Sequence, residues 1–577
     1  MILVTALSSV LLQLLSPFTA CILARLFRRY NMSHFSTVPL IRAPRSKFKL
    51  DYGNKTSMNV GTLYPVYIQE IYPGDTFTVD TTFVARVSSS FLRPVMDNLF
   101  IDFMYFFVPN RLVFEDFPAV LGENKKTAWA AATETEVPNN GITEAPGDAY
   151  VAPKSVADYL GIPPECGAVG INIMPFRAFA KIYDDWFRDE NLIDPMHIHT
   201  GDWDSSEAFN DKPWSPSNYT GMLPKVAKFH DVFTSALPST QKSISPVGVP
   251  LGTKAPIVSG GINNLHPTDG LLRFGTSTDN TPLGELWSNE GGLYVNSKST
   301  GPATPAAITQ TNMVADLAQA GLISVTDLRY AFQLQRILER SARAGTRYTE
   351  YLLSAFGVLS PDARLQRSEY LGGKRMPISV QQVAQTTRGS QADEELGSLG
   401  AFSLTNGRCG YQKGFVEHGF VIGVACIRQY HTYQQGIEKF WQRTSRFDYY
   451  DPILANISEQ PVYKSELYAV GPNATNLKNQ VFGFQEAWYD LRNRQNIVTG
   501  DMRSNVSTSL DIWHFADDYS NDPTLTPDFI NETPTYVDRT LAVPSTSLDQ
   551  FIVDIYHRQT AIRCLPPYSI PGLIDHR

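Results

Sequence analysis

Few groupings in this sequence have the residue types and spacing that catalysis or metal binding needs. The nearest is His197-Ile198-His199 with Asp202 and Asp204. Two imidazoles two positions apart share a face of a strand, and nearby carboxylates could complete a zinc-type ligand set. The neighbours Gly201 and Trp203 suit a loop better, so ordinary loop polarity is the expectation. Asp184-Asp185 and Asp517-Asp518 are adjacent pairs, expected on surfaces. Acid–base work needs two carboxylates facing one cleft, and adjacency does not provide that. No G-x-S-x-G, P-loop, H-E-x-x-H or dinucleotide-binding glycine pattern occurs in its proper context. The expectation is a chain without enzymatic activity, without a cofactor and without a metal site.

Cation and aromatic patterns are better developed. From Ser36 to Lys55 the chain is basic, with Arg42, Arg45, Lys47, Lys49 and Lys55 and two prolines, Pro39 and Pro44. It reads as an extended arm. Arg336, Arg340 and Arg343 fall along one side of a helix, with Arg347 following. Between Arg428 and Tyr450, Tyr430, Tyr433, Trp441, Phe447 and Tyr449 interleave with Arg428, Lys439, Arg443 and Arg446. Arginine binds phosphate and aromatic rings stack on unpaired bases, so Arg42, Arg45, Lys47, Lys49, Arg428, Arg443 and Arg446 are the candidate nucleic-acid contacts. The plainer reading of each group is a solvated or interface-paired surface. With 49 Lys and Arg against 57 Asp and Glu the net charge is −8. Such a chain cannot neutralise a long polynucleotide alone, and another component must supply charge.

The elements that would carry these groups are mostly strands. Only 18% of the 577 residues are charged and 12% are aromatic, with 39 Gly and 38 Pro. That composition excludes disorder, a coiled coil and a disulfide scaffold, and it fits a turn-rich β protein with covered outer faces. Thr76 to Asp80 alternates polar and apolar after the turn Pro73-Gly74-Asp75. Leu99 to Val108 is apolar on both faces, which places it between two layers, and Pro109-Asn110 ends it. Phe415 to Ile427 and Phe551 to Ile555 also read as strands. A helix begins at Pro175, with Phe176, Phe179, Ile182, Tyr183, Trp186 and Phe187 toward a sheet and Arg177, Lys181, Asp184, Asp185 and Arg188 on the other arc. A second runs from Thr326-Asp327 to about Arg343, and a third from Tyr348 to Phe356, closed by Gly357.

Two stretches stand apart. Met1 to Phe27 is mostly apolar and long enough to span a bilayer, which would make it an anchor or uncleaved signal. It lacks a basic start, and Ser16-Pro17 interrupts it, so a true start at Met32 is the favoured reading. Residues 240 to 320 are about half Gly, Ser, Thr, Asn and Pro, too polar and too long for a simple loop. Leu271, Leu272, Leu283, Trp287 and Leu293 favour a folded projection over a disordered linker. The five cysteines, Cys21, Cys166, Cys409, Cys426 and Cys564, form no C-x-x-C and are expected as free thiols packed like small apolar residues.

Several segments resemble one family. They are Arg177–Asn191, with Ala-Phe-Ala-Lys-Ile-Tyr-Asp-Asp-Trp at its centre; His230–Pro238; Arg347–Arg367 with Glu369-Tyr370-Leu371-Gly372-Gly373; Phe484-Gln485-Glu486-Ala487-Trp488 with Val498-Thr499-Gly500; and the tail Tyr568–His576. Together they are similar to the major capsid protein of the Microviridae, small single-stranded DNA bacteriophages, in the gokushovirus branch. The resemblance runs from about Met32 to the C-terminus, and residues 1–31 depart from it. It implies an eight-stranded antiparallel jelly roll with long inter-strand loops, a few helices and a large insertion. The divisions that follow are an extension 1–31, an arm 32–58, the first part of the jelly roll 59–240, an insertion 241–322 at the three-fold axes, and the second part with the tail 323–577. It also implies a homo-oligomeric T=1 icosahedral shell, built in the bacterial cytoplasm around circular single-stranded DNA. A minor capsid or pilot protein and a small basic DNA-packaging protein accompany it. The insertion would meet a host surface receptor, with Leu271, Leu272, Trp287 and Tyr294 as candidate contacts. A secreted or surface carbohydrate-binding β protein is the alternative on composition.

Overall fold

The computed structural model describes residues 44–123, 136–141, 151–164, 170–196, 198–201, 222–243, 247, short strands between 257 and 315, 325–386, 396–471 and 474–568. Two antiparallel sheets hold the core. One is built from β1 (Ser46–Lys49), β2 (Tyr52–Met58), β4 (Thr76–Val87), β7 (Val380–Ala384), β8 (Leu399–Gly414) and β12 (Phe551–Arg563). The other contains β3 (Tyr64–Ile71), β5 (Leu99–Pro109), β6 (Glu369–Pro377) and β9 (Gly419–Gln429); β10 (Glu459–Tyr463) and β11 (Val481–Glu486) pair with each other apart from both sheets. The six-stranded order is β1-β12-β4-β8-β7, with β2 sharing the β12 edge with β1; the four-stranded order is β6-β5-β9-β3. Strands distant in sequence alternate within each sheet, as in a jelly roll. The mainly β, jelly-roll expectation is met; the two sheets hold six and four strands.

The sheets differ in what covers them, and the sequence patterns follow. β12 alternates buried and exposed residues along nearly its whole length, because one face packs inward and the other meets solvent. β9 is buried almost throughout. Its Val421, Ala425 and Ile427 join Phe83, Phe103 and Val553 between the sheets. Its Phe420, Ile422, Val424 and Cys426 pack instead with Phe176, Phe179 and Ile182 of α1 (Met174–Trp186). The apolar run of β5 is likewise shared, with Phe103 and Tyr105 on one side and Phe106 and Val108 on the other. A polar belt crosses the core: Tyr67 donates to Gln559 Oε1 at 2.8 Å and Tyr105 to Thr81 Oγ1 at 2.6 Å. These bonds satisfy hydroxyls that burial would otherwise penalise.

Helices α2 (Val325–Ala344) and α3 (Tyr348–Phe356) form where the periodicity places them, and Gly357 closes α3 at φ 67°. Three expectations need correction. Phe415 to His418 is not strand but the link by which the chain leaves β8 in one sheet and enters β9 in the other; Phe415 N donates to Asp75 O at 2.8 Å. Arg177, placed on the solvent arc of α1, is buried and donates to the carbonyls of Val113 and Gly201 at 3.1 and 2.9 Å. Asp184 and Asp185 are not surface carboxylates either. Asp185 accepts from Ser368 N at 2.9 Å, and Asp184 accepts from Met196 N at 3.0 Å with burial raising its carboxyl to about 6.

Cys409 and Cys426 are buried as expected, but Cys564 is exposed; Cys21 and Cys166 lie outside the described residues. Burial pushes the Cys409 thiol to about 11 and Cys426 to about 12. A thiolate is the reactive form, so iodoacetamide on the folded protein should label Cys564 and spare Cys409 and Cys426 until denaturant is added. Peptide mapping checks this; native labelling of Cys426 would contradict the packing described.

Candidate functional site

Arg42 lies outside the described residues. Arg45 precedes β1, and its guanidinium donates to Gly74 O and, at 3.3 Å, to Thr76 Oγ1, fixing the arm to the turn before β4. Lys47 and Lys49 alternate with half-buried Ser46 and Phe48, so both ammonium groups stand exposed on the outer side of the six-stranded sheet. Their register partners are Ile562 and Thr560 on β12.

Two of the remaining cation candidates are engaged within the chain. Arg428 bonds the carboxylate of Asp102, which Arg375 also holds at 2.8 Å. Both guanidinium groups lie over the Phe229 ring, 4.3 and 4.2 Å from its centre. Arg443 pairs with Asp490, both largely buried. Arg446 is exposed. The helical Arg row divides similarly. Arg343 pairs with Glu459, Arg347 donates to the carbonyls of Asp184 and Arg188, and Arg340 lies 5.8 Å from the Tyr351 ring.

The interleaved aromatics split by burial. Tyr433 is buried and its hydroxyl donates to Asp231, while Tyr430 packs on Phe229 with ring centres 4.8 Å apart. Trp441, Phe447 and Ile453 stand out in water at 73%, 76% and 89% exposure, beside exposed Ile437, Phe440, Tyr449 and Tyr450. The segment is nonetheless well anchored. Asp448 caps its turn by accepting from the amides of Thr444 and Ser445 at 2.9 and 2.7 Å, and Ile437 N donates to Ser465 O at 3.0 Å. Soluble monomers rarely hold so many large apolar side chains together in water, and such patches mark interaction surfaces.

Helix α2 makes the same point. Of its 20 residues Ala342 alone is buried, and Val325 to Tyr330 are all exposed. A helix in a protein draws most of its stability from tertiary packing of one face, and α2 has little of that within the chain. Between 257 and 315 the described strands pair with one another, with Trp287 opposite Tyr294; Leu271 and Leu272 lie outside the described residues. Of the His-x-His candidate, His197, Asp202 and Asp204 lie outside them too, and among the described residues no group of three His, Cys, Asp or Glu side chains is placed to hold a metal ion.

A protein whose prominent surface features are bare aromatics and a bare helix is built to meet other chains. The sequence profile of a family described as Capsid protein (F protein) matches residues 36–573. The chain belongs to that capsid protein family. It is 39% identical to capsid protein VP1 of Spiroplasma virus 4 over 539 residues, covering 92% of this chain and 95% of the relative. It is 36% identical to capsid protein VP1 of Bdellovibrio phage phiMH2K over 561 residues, 95% and 99% of the two chains. To capsid protein VP1 of Chlamydia phage 1 the figures are 34% over 600 aligned positions, 94% and 98%. The chain is thus a structural, non-enzymatic capsid subunit of the virion, of the single-stranded DNA phage type, and it forms an oligomer. The carbohydrate-binding alternative is set aside. No helix among the described residues is long and apolar enough to cross a membrane.

The capsid protein also holds a polar cluster that sequence reading missed. His431 Nδ1 lies 2.7 Å from Asp517 Oδ1, and its Nε2 lies 3.1 Å from Glu532 Oε2. Lys228 Nζ and the Tyr519 hydroxyl donate to Asp517 Oδ2 at 3.3 and 2.6 Å. Both imidazole nitrogens face carboxylates, so the ring is held as the cation. Burial alone would lower its pKa, but the charges of Asp517 and Glu532 outweigh that and raise it to about 9. Asp517 was expected on a surface; it is fully buried, and Lys228 and His431 together overcome desolvation to hold its carboxyl well below the usual range. The cluster joins segments about 90 and 300 residues apart in sequence, so no local pattern announces it. It lies beside a third apolar cluster of Phe233, Tyr433, Val462, Phe482, Tyr489 and Phe529, and Lys439 of the 437–457 segment sits over the Tyr489 ring, 4.5 Å from its centre.

Proposed function

We propose that this capsid protein closes into a T=1 icosahedral shell around circular single-stranded DNA, assembled in the cytoplasm of a bacterial host. The exposed aromatic segment 437–457 is the observation that carries the assembly reading, because self-association is the simplest way to cover it. A minor capsid or pilot protein and a small basic DNA-packaging protein are the further partners. The packaging protein follows from charge, since a chain at −8 leaves most phosphates unneutralised. The arm Arg42, Arg45, Lys47 and Lys49 faces the interior in this reading. Residues 241–322 form the surface insertion that meets the host receptor, with Leu271, Leu272, Trp287 and Tyr294 as contacts.

Negative-stain microscopy of the purified protein tests the shell. Uniform closed particles support it, and a monomer at high concentration contradicts it. Deleting residues 245 to 320 should leave particle geometry intact and abolish attachment to host cells. Loss of particles from a folded deletion variant would refute the division of labour.

A further inference from the structure

The outer face of the six-stranded sheet has a composition that the chain's overall charge conceals. Strand register sets out its rows. Ile552, Arg86 and Leu404 stand in one row; Asp554, Val84 and Asn406 in the next; then Tyr556, Thr82 and Arg408. Arg558 and Asp80 follow, then Thr560, Thr78 and Gln412, with Lys49 beside Thr560 and Lys47 beside Ile562. Lys55 stands opposite Asp554 on β2. Six cations, Lys47, Lys49, Lys55, Arg86, Arg408 and Arg558, thus share the face with three carboxylates, Asp51, Asp80 and Asp554. The excess of three positive charges sits on a chain whose total is −8.

The carboxylates are already occupied. Asp80 is bound by the Arg408 guanidinium, which draws its pKa down; Asp554 lies 3.5 Å from Lys55; and Asp51 accepts from Gln559 N at 2.8 Å. Arg86, Arg558, Lys47 and Lys49 are exposed beyond these pairs. Tyr556 and Phe402 are exposed on the same face, each a ring on which a base can stack. From the Arg86 row to the Thr76 row is ten residues of strand, about 34 Å, enough for several nucleotides. Among the described residues no element covers this face.

We propose that this face binds the phosphate backbone of a single nucleic-acid strand, with Arg86, Arg558, Lys47 and Lys49 as the phosphate contacts and Tyr556 as a stacking platform. Charge complementarity selects a polyanion. Arg558, Lys49 and Lys47 occupy consecutive rows and Arg86 stands six residues of strand beyond Arg558; cations spread along a face with exposed rings suit a flexible single strand, whose phosphates can adjust to them, better than an acidic protein surface. The inference rests on the shell reading only for where the strand lies, on the inside.

The test uses the full-length protein and a fluorescent oligo-dT, read by anisotropy across about 50 to 200 mM salt. The combined variant Lys49→Glu, Arg86→Glu, Arg558→Glu should bind at least about tenfold more weakly, and its salt slope should flatten by about 0.7 for each phosphate no longer neutralised. Asp554→Asn, a conservative change at an exposed position, should bind more tightly, which keeps the test informative if the triple variant misfolds. Unchanged affinity and slope in both variants would overturn the proposal. So would binding that appears only after a small basic protein is added, since the face would then serve that protein. Particle formation reads the shell separately. DNA-filled particles from the triple variant would sink this proposal and leave the shell standing; retained oligo-dT binding by a wild-type protein that forms no particles would do the reverse.

Discussion

Asp517→Ala is expected to cost about 3–5 kcal/mol of folding stability, as large a loss as any single change among the described residues should produce. Removing this carboxylate takes the buried Lys228 ammonium's paired carboxylate away and leaves the His431 imidazolium with Glu532 alone, and breaking a buried pair by removing one partner costs that much. The Tyr519 hydroxyl loses its acceptor as well. Chemical denaturation of the unassembled subunit measures the effect; a loss under about 1 kcal/mol would mean that water reaches the cluster. The same geometry sets a pH dependence. His431 has a folded-state pKa of about 9, above its unfolded value of about 6.5. Its contribution is therefore fully present below about pH 6.5 and is lost as pH rises through about 9. Asp517 has its pKa depressed, so its contribution is present above about pH 3.9 and is lost as pH falls below that. Melting temperature measured against pH should accordingly decline on both sides of a mildly acidic optimum. In His431→Gln the alkaline decline should shrink. An alkaline limb of the same size in that variant would assign it to other groups.

Trp441→Ala with Phe447→Ala should abolish particle assembly while leaving the subunit folded. Both side chains are more than 70% exposed, so truncation removes little from the subunit's own packing. In an interface each would bury a large apolar surface, and removing a buried aromatic anchor costs about 2 kcal/mol or more, roughly 30-fold in association constant. The loss repeats at every symmetry-related contact, so a modest pairwise weakening becomes a failure to close. Light scattering against protein concentration gives the assembly threshold, and far-ultraviolet circular dichroism with a melting curve verifies the fold. Normal particles at the wild-type threshold would place this segment outside the subunit contacts. The Asp448 cap and the Ile437 bond to Ser465 stay in place in this variant, so collapse of the segment is not an expected cause of failure.

The legible parts of this protein are those whose signal is local. Alternation in β4 and β12 and the two-faced apolar run of β5 are properties of neighbouring residues, and the strands form where those patterns lie. The helices α1, α2 and α3 follow their 3.6-residue spacing, and Gly357 adopts the positive φ that ends α3. The misread residues depend on distant partners. Arg177 has the polarity of a surface residue, yet carbonyls from two other segments make its burial possible. Arg428 and Arg443 resemble free cations until Asp102 and Asp490 are seen beside them.

The sequence by itself determined the class of this protein. Low charge, abundant aromatic, Gly and Pro residues and the segments from Arg177 to Tyr568 suffice for a β capsid subunit, because composition and local motifs survive without coordinates. Tertiary structure alone decided which cations stay available. A guanidinium is free or paired according to what the fold brings within about 4 Å, and that partner can lie hundreds of residues away. Hence the −8 total, read from the sequence, conceals one sheet face with an excess of three positive charges. Strand register assembles that face from β1, β2, β4, β8 and β12, segments spread over nearly the whole chain, and no window of sequence contains it.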